Sequence, residues 1–124
     1  MSPQSVTRLV HSVLDVYRYE LPEPGTTYGT PFPLEHVEAQ VELLKTCLVT
    51  PRLQKFQVKE TFAEVSSPRE RTMWVVAERE AHGNRYLVWY DAERECFGPA
   101  QEWRDSPLPV SFLTGDLVCM FLAI

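Results

Sequence analysis

The sequence predicts an α+β domain in which two N-terminal helices pack on one face of a roughly five-stranded antiparallel sheet. Three observations indicate this class. Apolar residues recur at spacings of three and four in the first part of the chain, which is the helical period. From residue 54 onward apolar and polar residues mostly alternate, and two β-rich runs flank a Gly-Asn turn. The 124 residues are the size of one ordinary domain, so we expect residues 1–124 to fold as a single unit.

The first helix is predicted over residues 3–19. Ser2 provides a side-chain acceptor at the cap position, and Pro3 occupies the first turn, where the missing N–H is no loss. The apolar positions that line one face of this helix are Val6, Leu9, Val10, Val13, Leu14 and Tyr17. Residues 20–33 follow as a connection that holds four of the ten prolines. A loop this long in a small domain is expected to wrap over a face or to contact another molecule.

The second helix is predicted over residues 34–49. Its apolar positions alternate in spacing between three and four, and they are Leu34, Val37, Val41, Leu44 and Leu48. Two such repeats are typical of a helix that faces a core rather than of a coiled coil. The opposite face carries Glu35, Glu38 and Glu42, with Lys45 within reach of Glu42. Pro51 is predicted to end this helix, because proline cannot continue the helical hydrogen bonds.

Mainly antiparallel strands are predicted over residues 54–124. In the first strand the residues of one face are Phe56, Val58 and Phe62. Residues 65–71 are predicted as a polar turn. The clearest pair is a hairpin of residues 72–80 with residues 85–91, because the Gly-Asn pair between them tolerates the positive φ of a tight turn.

The C-terminal third gives weaker signals. A strand is predicted over residues 96–103, interrupted by Gly98 and Pro99, since a proline is confined to an edge or a bulge. Residues 110–113 have the features of a helical turn. The last apolar run, residues 117–124, has a length that suits a buried strand better than a helix, although its periodicity fits both.

Both strands of the predicted hairpin are apolar on both faces, so the sheet needs two covers. The helices are expected to cover one face. The residues assigned to the other face are Trp74, Val76, Leu87 and Trp89. The sequence allows three ways to bury this second face. It packs against the proline-rich connection together with the C-terminal segment, against another protein surface, or around a small ligand in a concave pocket.

Composition excludes several classes of protein. Twelve basic against seventeen acidic residues give a net charge of -5, whereas general nucleic-acid binders depend on Lys and Arg to neutralise phosphates. The longest apolar run, Leu117–Ile124, is far shorter than the roughly twenty residues of a membrane span. No signal peptide is recognisable at the start of the chain, and the three cysteines have no paired spacing. We therefore expect a cytoplasmic protein with reduced thiols, two of them (Cys47 and Cys119) in the core, that binds neither nucleic acid nor membrane.

The sequence contains no catalytic or metal-binding constellation. The three histidines, His11, His36 and His82, have no metal-ligand spacing, and the five glycines form no phosphate-binding loop. The carboxylates near the hairpin alternate with arginines, which is typical of a solvated surface, and they are Glu78, Glu80, Asp91, Glu93 and Glu95. We expect no cofactor and no metal; whether the protein is an enzyme is left open, with the balance against it.

The leading hypothesis is a small protein-interaction module of the inhibitor, immunity or adaptor type, without catalytic activity. Its partner is expected to be a protein, and a basic one, because acidic surfaces attract basic partners and aromatic residues anchor interfaces. The predicted partner-binding residues are Glu35, Glu38, Glu42, Trp74, Trp89 and Trp103. A homodimer that buries the second face of the sheet is compatible with this hypothesis.

The alternative is a ligand-binding or enzymatic domain with an aromatic-lined pocket between the sheet and the helices. The residues assigned to that pocket are Tyr86, Tyr90, Glu78, Asp91 and Phe112. A buried acidic residue with a perturbed pKa inside such a pocket would favour this alternative, and acidic residues in water would count against it.

Overall fold

A computed structural model describes residues 1–21, 31–59, 69–103, 107–111 and 113–124 of the chain. The fold is α+β, with three helices and a five-stranded meander in these residues. In chain order the elements are α1 (Pro3–Val16), α2 (Leu34–Cys47), β1 (Leu48–Val58), β2 (Arg69–Ala81), β3 (Asn84–Asp91), β4 (Cys96–Gln101), β5 (Val110–Ser111) and α3 (Leu117–Leu122).

The five strands close into a barrel in the order β1-β2-β3-β4-β5. Consecutive strands pair antiparallel, and β5 returns to pair with β1 in parallel. The parallel pair is a consequence of number, because five strands that alternate in direction around a ring must leave one pair that runs the same way. Two of the closing hydrogen bonds are donated by the Gln57 amide to the Pro109 carbonyl and by the Lys59 amide to the Ser111 carbonyl, at 2.9 and 3.0 Å.

Closure of the sheet covers the second apolar face. The buried side chains of the barrel interior are Phe56, Val58, Met73, Val75, Leu87, Trp89 and Ala100. The prediction that Trp74 and Val76 share one face of the sheet with Leu87 and Trp89 is wrong. Because Val75 pairs with Trp89 and Trp74 pairs with Tyr90, Trp74 lies on the outer face of the barrel.

The outer face of β2 and β3 carries the larger core. Strand residues Trp74, Val76, Ala77, Val88 and Tyr90 are buried there together with residues of all three helices. The helical contributors are Val6, Val10, Leu14, Val37, Leu44, Leu117, Val118, Met120 and Phe121. Ala77 was expected opposite Trp74, but a register shift between Val75 and Ala77 turns it to the same side.

A close contact between Trp89 and Gly98 sets the packing inside the barrel. The two residues are cross-strand partners on β3 and β4. A Cβ atom at position 98 would lie 2.0 Å from Trp89 Cζ2, so only glycine leaves room for the indole. The indole Nε1 donates to Ser111 Oγ at 3.0 Å, and that hydroxyl donates to the Pro99 carbonyl. β4 runs from Cys96 to Gln101 through Gly98 and Pro99. The prediction that these two residues interrupt the strand is wrong.

Both N-terminal helices are shorter than predicted. α1 begins with the expected cap, in which Ser2 and Ser5 exchange side-chain to backbone hydrogen bonds, but it ends at Val16. Tyr17 fits the apolar period, yet its backbone is extended. α2 ends at Cys47, and residues 48–50 already belong to β1, which continues through Pro51. The prediction that Pro51 ends the helix is wrong, because the change from helix to strand occurs at Leu48.

The hairpin is confirmed, but the predicted Gly-Asn turn is not, because Asn84 already belongs to β3. β2 and β3 are joined by His82 and Gly83 alone, and both have positive φ, 53° and 77°. Such a pair of left-handed residues is the turn that matches the twist of the flanking strands. β2 begins at Arg69, so residues 69–71 of the predicted turn are strand. The rest of that turn, Phe62, Phe112 and residues 22–30 lie outside the described residues.

The C-terminal run forms a helix, not the strand that its length favoured. The side chain of Asp116 accepts a hydrogen bond from the Cys119 amide at 2.9 Å and caps the start of α3. Residues 110–111, predicted as part of a helical turn, form β5 instead. Both segments were recognised as apolar. The Asp116 cap makes residues 117–122 a helix, and pairing with β1 and β4 makes residues 110–111 a strand.

Candidate functional site

The three glutamates predicted to bind a partner are together and exposed. Glu35, Glu38 and Glu42 all lie on α2. Glu42 forms an ion pair with Lys45 at 3.1 Å, in which both side chains are at least half exposed. No ion pair within the described residues involves Glu35 or Glu38. Exposed ion pairs are weak, so this face of α2 keeps a negative character.

A groove is lined in part by two of these glutamates, Glu38 and Glu42. α1 rests mainly on β1 and β2, whereas α2 rests on β2 and α3, and the space between the two helices is open at the surface. We call this space, about 470 Å³, the helix groove. Its lining residues come from the end of α1 and from α2, and they are Leu14, Tyr17, Arg18, Tyr19, Leu34, Val37, Glu38, Val41, Glu42 and Lys45. Leu14 and Val37 are buried and form its floor.

Four exposed apolar residues are close in sequence to residues that line the helix groove, and one of them, Leu34, is itself part of the lining. We call them the apolar rim, and they are Val16, Leu21, Phe32 and Leu34. The chain segments that carry them are held together, because the Tyr19 hydroxyl donates to the Phe32 carbonyl at 2.7 Å. The Phe32 ring also stacks on His36, with ring centroids 5.1 Å apart. Phe32 of the apolar rim is thus held by two contacts within the chain.

The cations nearest the helix groove are engaged within the chain. Arg18 donates to the carbonyls of Asp15 and Tyr17, at 3.3 and 2.6 Å. Lys45 is the partner of Glu42. The carboxylates of Glu35 and Glu38 therefore face water beside apolar side chains, and this combination of apolar floor and acidic edge is the main feature of the candidate site.

The tryptophans are not brought together with the glutamates. Trp89 lies inside the barrel and Trp74 lies in the core beneath the helices, so both are buried. Trp103 is 52% exposed but follows β4. Burial removes Trp74 and Trp89 from any contact surface of the folded protein, and their predicted role there is not retained. The same burial places Trp89 and Leu87 out of reach of a second copy of the chain.

Among the described residues of the alternative pocket, Tyr86, Tyr90, Glu78 and Asp91, the two carboxylates are far apart along the sheet. Tyr90 is part of the core, Tyr86 is half-buried, and Phe112 lies outside the described residues. Glu78 pairs with Leu87, which stands four residues before Asp91 on β3. At about 3.3 Å per residue this separates the two carboxylates along the strand by roughly 13 Å.

Glu78 is held as a carboxylate by two arginines. Its side chain forms a short ion pair with Arg52 and a second one with Arg85 at 2.7 Å. Burial by itself would raise the pKa of Glu78, but the hydrogen bonds from Arg52 and Arg85 outweigh it, so the pKa is lowered. Arg85 also reaches Glu102 at 3.5 Å. A carboxylate that stays ionised and shared is suited to joining strands rather than to proton transfer.

Asp91 was predicted to be exposed, and this is wrong. Its side chain is buried and pairs with Arg71 at 3.0 Å. Its other oxygen accepts hydrogen bonds from the amides of Glu93 and Arg94, at 3.0 and 3.4 Å. Asp91 thereby fixes the turn between β3 and β4, as an aspartate at the start of a turn commonly does.

The remaining reactive side chains are dispersed. Within the described residues no three of the His, Cys, Asp and Glu side chains are grouped closely enough to hold a metal ion. Cys47 is half-buried, whereas Cys119, predicted to be in the core, is exposed. The residue as a whole is exposed, but its thiol is partly shielded from water. This burial raises the pKa of Cys119, and the hydrogen bond and negative charge of Asp116 raise it further, to about 11. Burial likewise raises the pKa of Cys96, so neither thiol is activated as a nucleophile.

Sequence reasoning found the glutamates but missed the helix groove and most of the apolar rim. Leu34 was expected to face the core, and Leu21 and Phe32 were part of the connection. The available signal was that Leu21 and Phe32 are large apolar residues outside both predicted helices and next to prolines. Apolar residues that no helix or strand requires are candidates for a contact surface.

None of the helices in the described parts of the chain is long and apolar enough to cross a membrane. Comparison of the chain with protein-family models, with curated proteins and with solved structures finds no match.

Proposed function

We propose that the protein is a small protein-interaction module of the inhibitor, immunity or adaptor type, without catalytic activity, and that it contacts its partner through the helix groove and the apolar rim. The observation that carries the proposal is the group of exposed apolar side chains beside the unpaired carboxylates of Glu35 and Glu38. Protein interfaces commonly combine an apolar centre with a polar edge.

The composition of the helix groove supports this role. Tyr17 and Tyr19 line it and are half-buried, and tyrosines at such positions often contribute most to binding. Leu34 is 43% exposed at the first position of α2. An isolated exposed leucine requires no explanation, but several around one groove indicate a contact surface.

In this proposal α1 and α2 form one layer on the same face of the sheet, and that layer presents the contact surface. The support is that residues of both helices belong to one buried cluster with Trp74 and Tyr90. We also place the protein in the cytoplasm, since all three cysteines are free and a reducing compartment keeps thiols in this state.

Affinity capture with matched leucine variants tests the proposal. Tagged wild-type protein, Leu34→Glu and Leu53→Glu are exposed to a lysate of the source cells, and the retained proteins are identified by mass spectrometry. Leu53 is the control, because it is 57% exposed but lies on β1. We expect a partner that is retained by the wild type and by Leu53→Glu and is lost with Leu34→Glu.

Leu34→Glu is compatible with folding. The substitution places a carboxylate in the first turn of α2, where it interacts favourably with the helix dipole, and circular dichroism verifies the helix content. A partner that is retained equally by both variants, or lost equally from both, would contradict the assignment of the contact surface.

A further inference from the structure

We infer that the occupant of the helix groove is a basic, amphipathic helix of the partner protein, whose apolar side chains fill the groove and whose Lys or Arg side chains meet Glu35 and Glu38. This inference rests on the proposed function and specifies the chemistry of the partner. It follows from the position of Glu38, which lines the groove beside Leu34, Val37 and Val41 and has no ion-pair partner among the described residues. Glu35, three residues earlier on α2, is also exposed.

Charge is the first argument. Up to Thr50 the chain has six acidic and three basic residues. Of the basic residues, Arg18 is bound to backbone carbonyls and Lys45 to Glu42. Hydrogen bonds to carbonyls leave the charge of Arg18 in place, but the described residues from Leu14 to Lys45 hold five acidic side chains against two basic ones. A docked segment therefore meets a surface of net negative charge. Complementary charges raise the association rate and reject partners of the same sign, so this edge selects a cationic segment.

Shape is the second argument. The lining of α2 runs from Leu34 to Lys45, eleven steps of about 1.5 Å, or roughly 16 Å. An occupant helix of about three turns has the same length. The apolar lining residues Leu34, Val37 and Val41 repeat at spacings of three and four along α2. Grooves of this kind bind amphipathic helices whose anchors have the matching period.

A second copy of the chain fits less well. In a twofold dimer the same patch meets itself, so Glu35 and Glu38 of one copy would approach the same carboxylates of the other. Like charges brought together in an interface are unfavourable. The carboxylate edge thus argues for an occupant of the opposite sign.

Two synthetic peptides test the inference. Each has about fourteen residues, four turns of helix, with leucines at spacings of three and four. One peptide has lysine at all other positions and the matched peptide has glutamate. Binding of fluorescein-labelled peptides is measured by fluorescence anisotropy at low and high salt. The proteins compared are the wild type, Glu35→Gln with Glu38→Gln, Leu34→Glu, and the control Glu80→Gln. Glu80 is exposed on β2, outside the helices.

We expect the lysine peptide to bind the wild type and the glutamate peptide not to bind. Removing both carboxylates should weaken binding of the lysine peptide by roughly fivefold, the effect of about two surface ion pairs. Added salt should weaken it as well. Glu80→Gln should bind like the wild type.

Three results would overturn the inference. If both peptides bind equally and only Leu34→Glu weakens them, the helix groove is a contact site without preference for a basic partner, and the proposed function stands. If Glu80→Gln weakens binding as much as the double variant, the attraction is to the net charge of the chain. If sedimentation equilibrium shows a dimer that Leu34→Glu dissociates, the occupant is a second copy.

Discussion

In the barrel, the interior side chains pack on one another and two acidic residues pair with arginines, whereas α2 leaves both apolar and charged side chains available at its surface. Inside the barrel the sheet covers its own apolar face, and at its edges Glu78 and Asp91 are each held by arginine. On α2, Glu35 and Glu38 face water beside the exposed Leu34. In our proposal the barrel supplies stability, and α1 and α2 supply the contact surface.

The difference arises from how each region is closed. The strands of a barrel pair with one another all the way round, so no strand edge remains for a partner. α1 and α2 each pack on the sheet more than on each other, and the helix groove between them stays open. Substitutions in the barrel should therefore change the free energy of unfolding, and substitutions around the groove should change binding.

The largest effect is expected for Trp89→Ala. Trp89 is fully buried in the barrel interior, and removing a buried Trp side chain typically costs about 3 to 5 kcal/mol of unfolding free energy. The matched control is Trp103→Ala, since Trp103 is exposed and should change stability by less than about 0.5 kcal/mol. Urea denaturation followed by circular dichroism measures both. Equal losses would show that the barrel interior is not the main source of stability.

Gly98→Ala should come next, with a loss of about 2 kcal/mol from overpacking. The added methyl group would lie 2.4 Å from Trp89 Cε2 and 2.6 Å from the Leu113 carbonyl oxygen. Gly115→Ala is the milder comparison, because the nearest atom there is the flexible end of Met120. If thermal melts place Gly98→Ala at or above the wild type, the close contact with Trp89 is not a constraint.

Glu78→Gln should cost about 1 kcal/mol, because two arginines lose a charged acceptor but remain partly in water. The pKa of Glu78 is lower in the folded chain than its ordinary value of 4.5. Its contribution is therefore complete above that value and is lost as the pH falls through the folded pKa. Urea midpoints between pH 3 and pH 7 should fall less steeply for Glu78→Gln. If the urea midpoints of the two proteins fall in parallel as the pH is lowered, Glu78 does not contribute to the acid sensitivity of the fold.

The smallest effect on stability is expected for Glu35→Gln with Glu38→Gln. Neither carboxylate has an ion-pair partner among the described residues, so the free energy of unfolding should change by less than about 0.5 kcal/mol. Differential scanning calorimetry provides the measurement. A loss comparable to that of Glu78→Gln would mean that these glutamates stabilise the fold, and the two regions would not differ as described.

The predictable part of the fold is the part with strong local signals. The cap of α1, the periodic apolar residues of both helices and the turn at His82 and Gly83 are all encoded within a few residues of one another. Closure of the barrel was not predicted, because it depends on pairing between β1 and the two residues of β5, which are distant in sequence. The assignment of Trp74 to a face failed for the same reason, since cross-strand register fixes it.

The exposed glutamates of the candidate site were predicted from the sequence, but the helix groove was not. Exposure of Glu35, Glu38 and Glu42 follows from the helical period, which the sequence shows directly. The helix groove depends on the distance at which α1 and α2 rest on the sheet, and that distance is set by tertiary packing. The burial of Asp91 was missed because its partner Arg71 lies twenty residues earlier on another strand.

Amide chemical-shift mapping tests the central claim most directly. The lysine peptide is titrated into ¹⁵N-labelled protein, and the shifted resonances are assigned to residues. We predict that the largest changes fall over residues 14–19, from the end of α1 into the segment that follows it, and along α2, residues 34–45, while β3 and β4 change little. Changes concentrated on the barrel strands, or spread evenly over the acidic residues of the whole chain, would contradict the assignment of the contact surface to the helical layer.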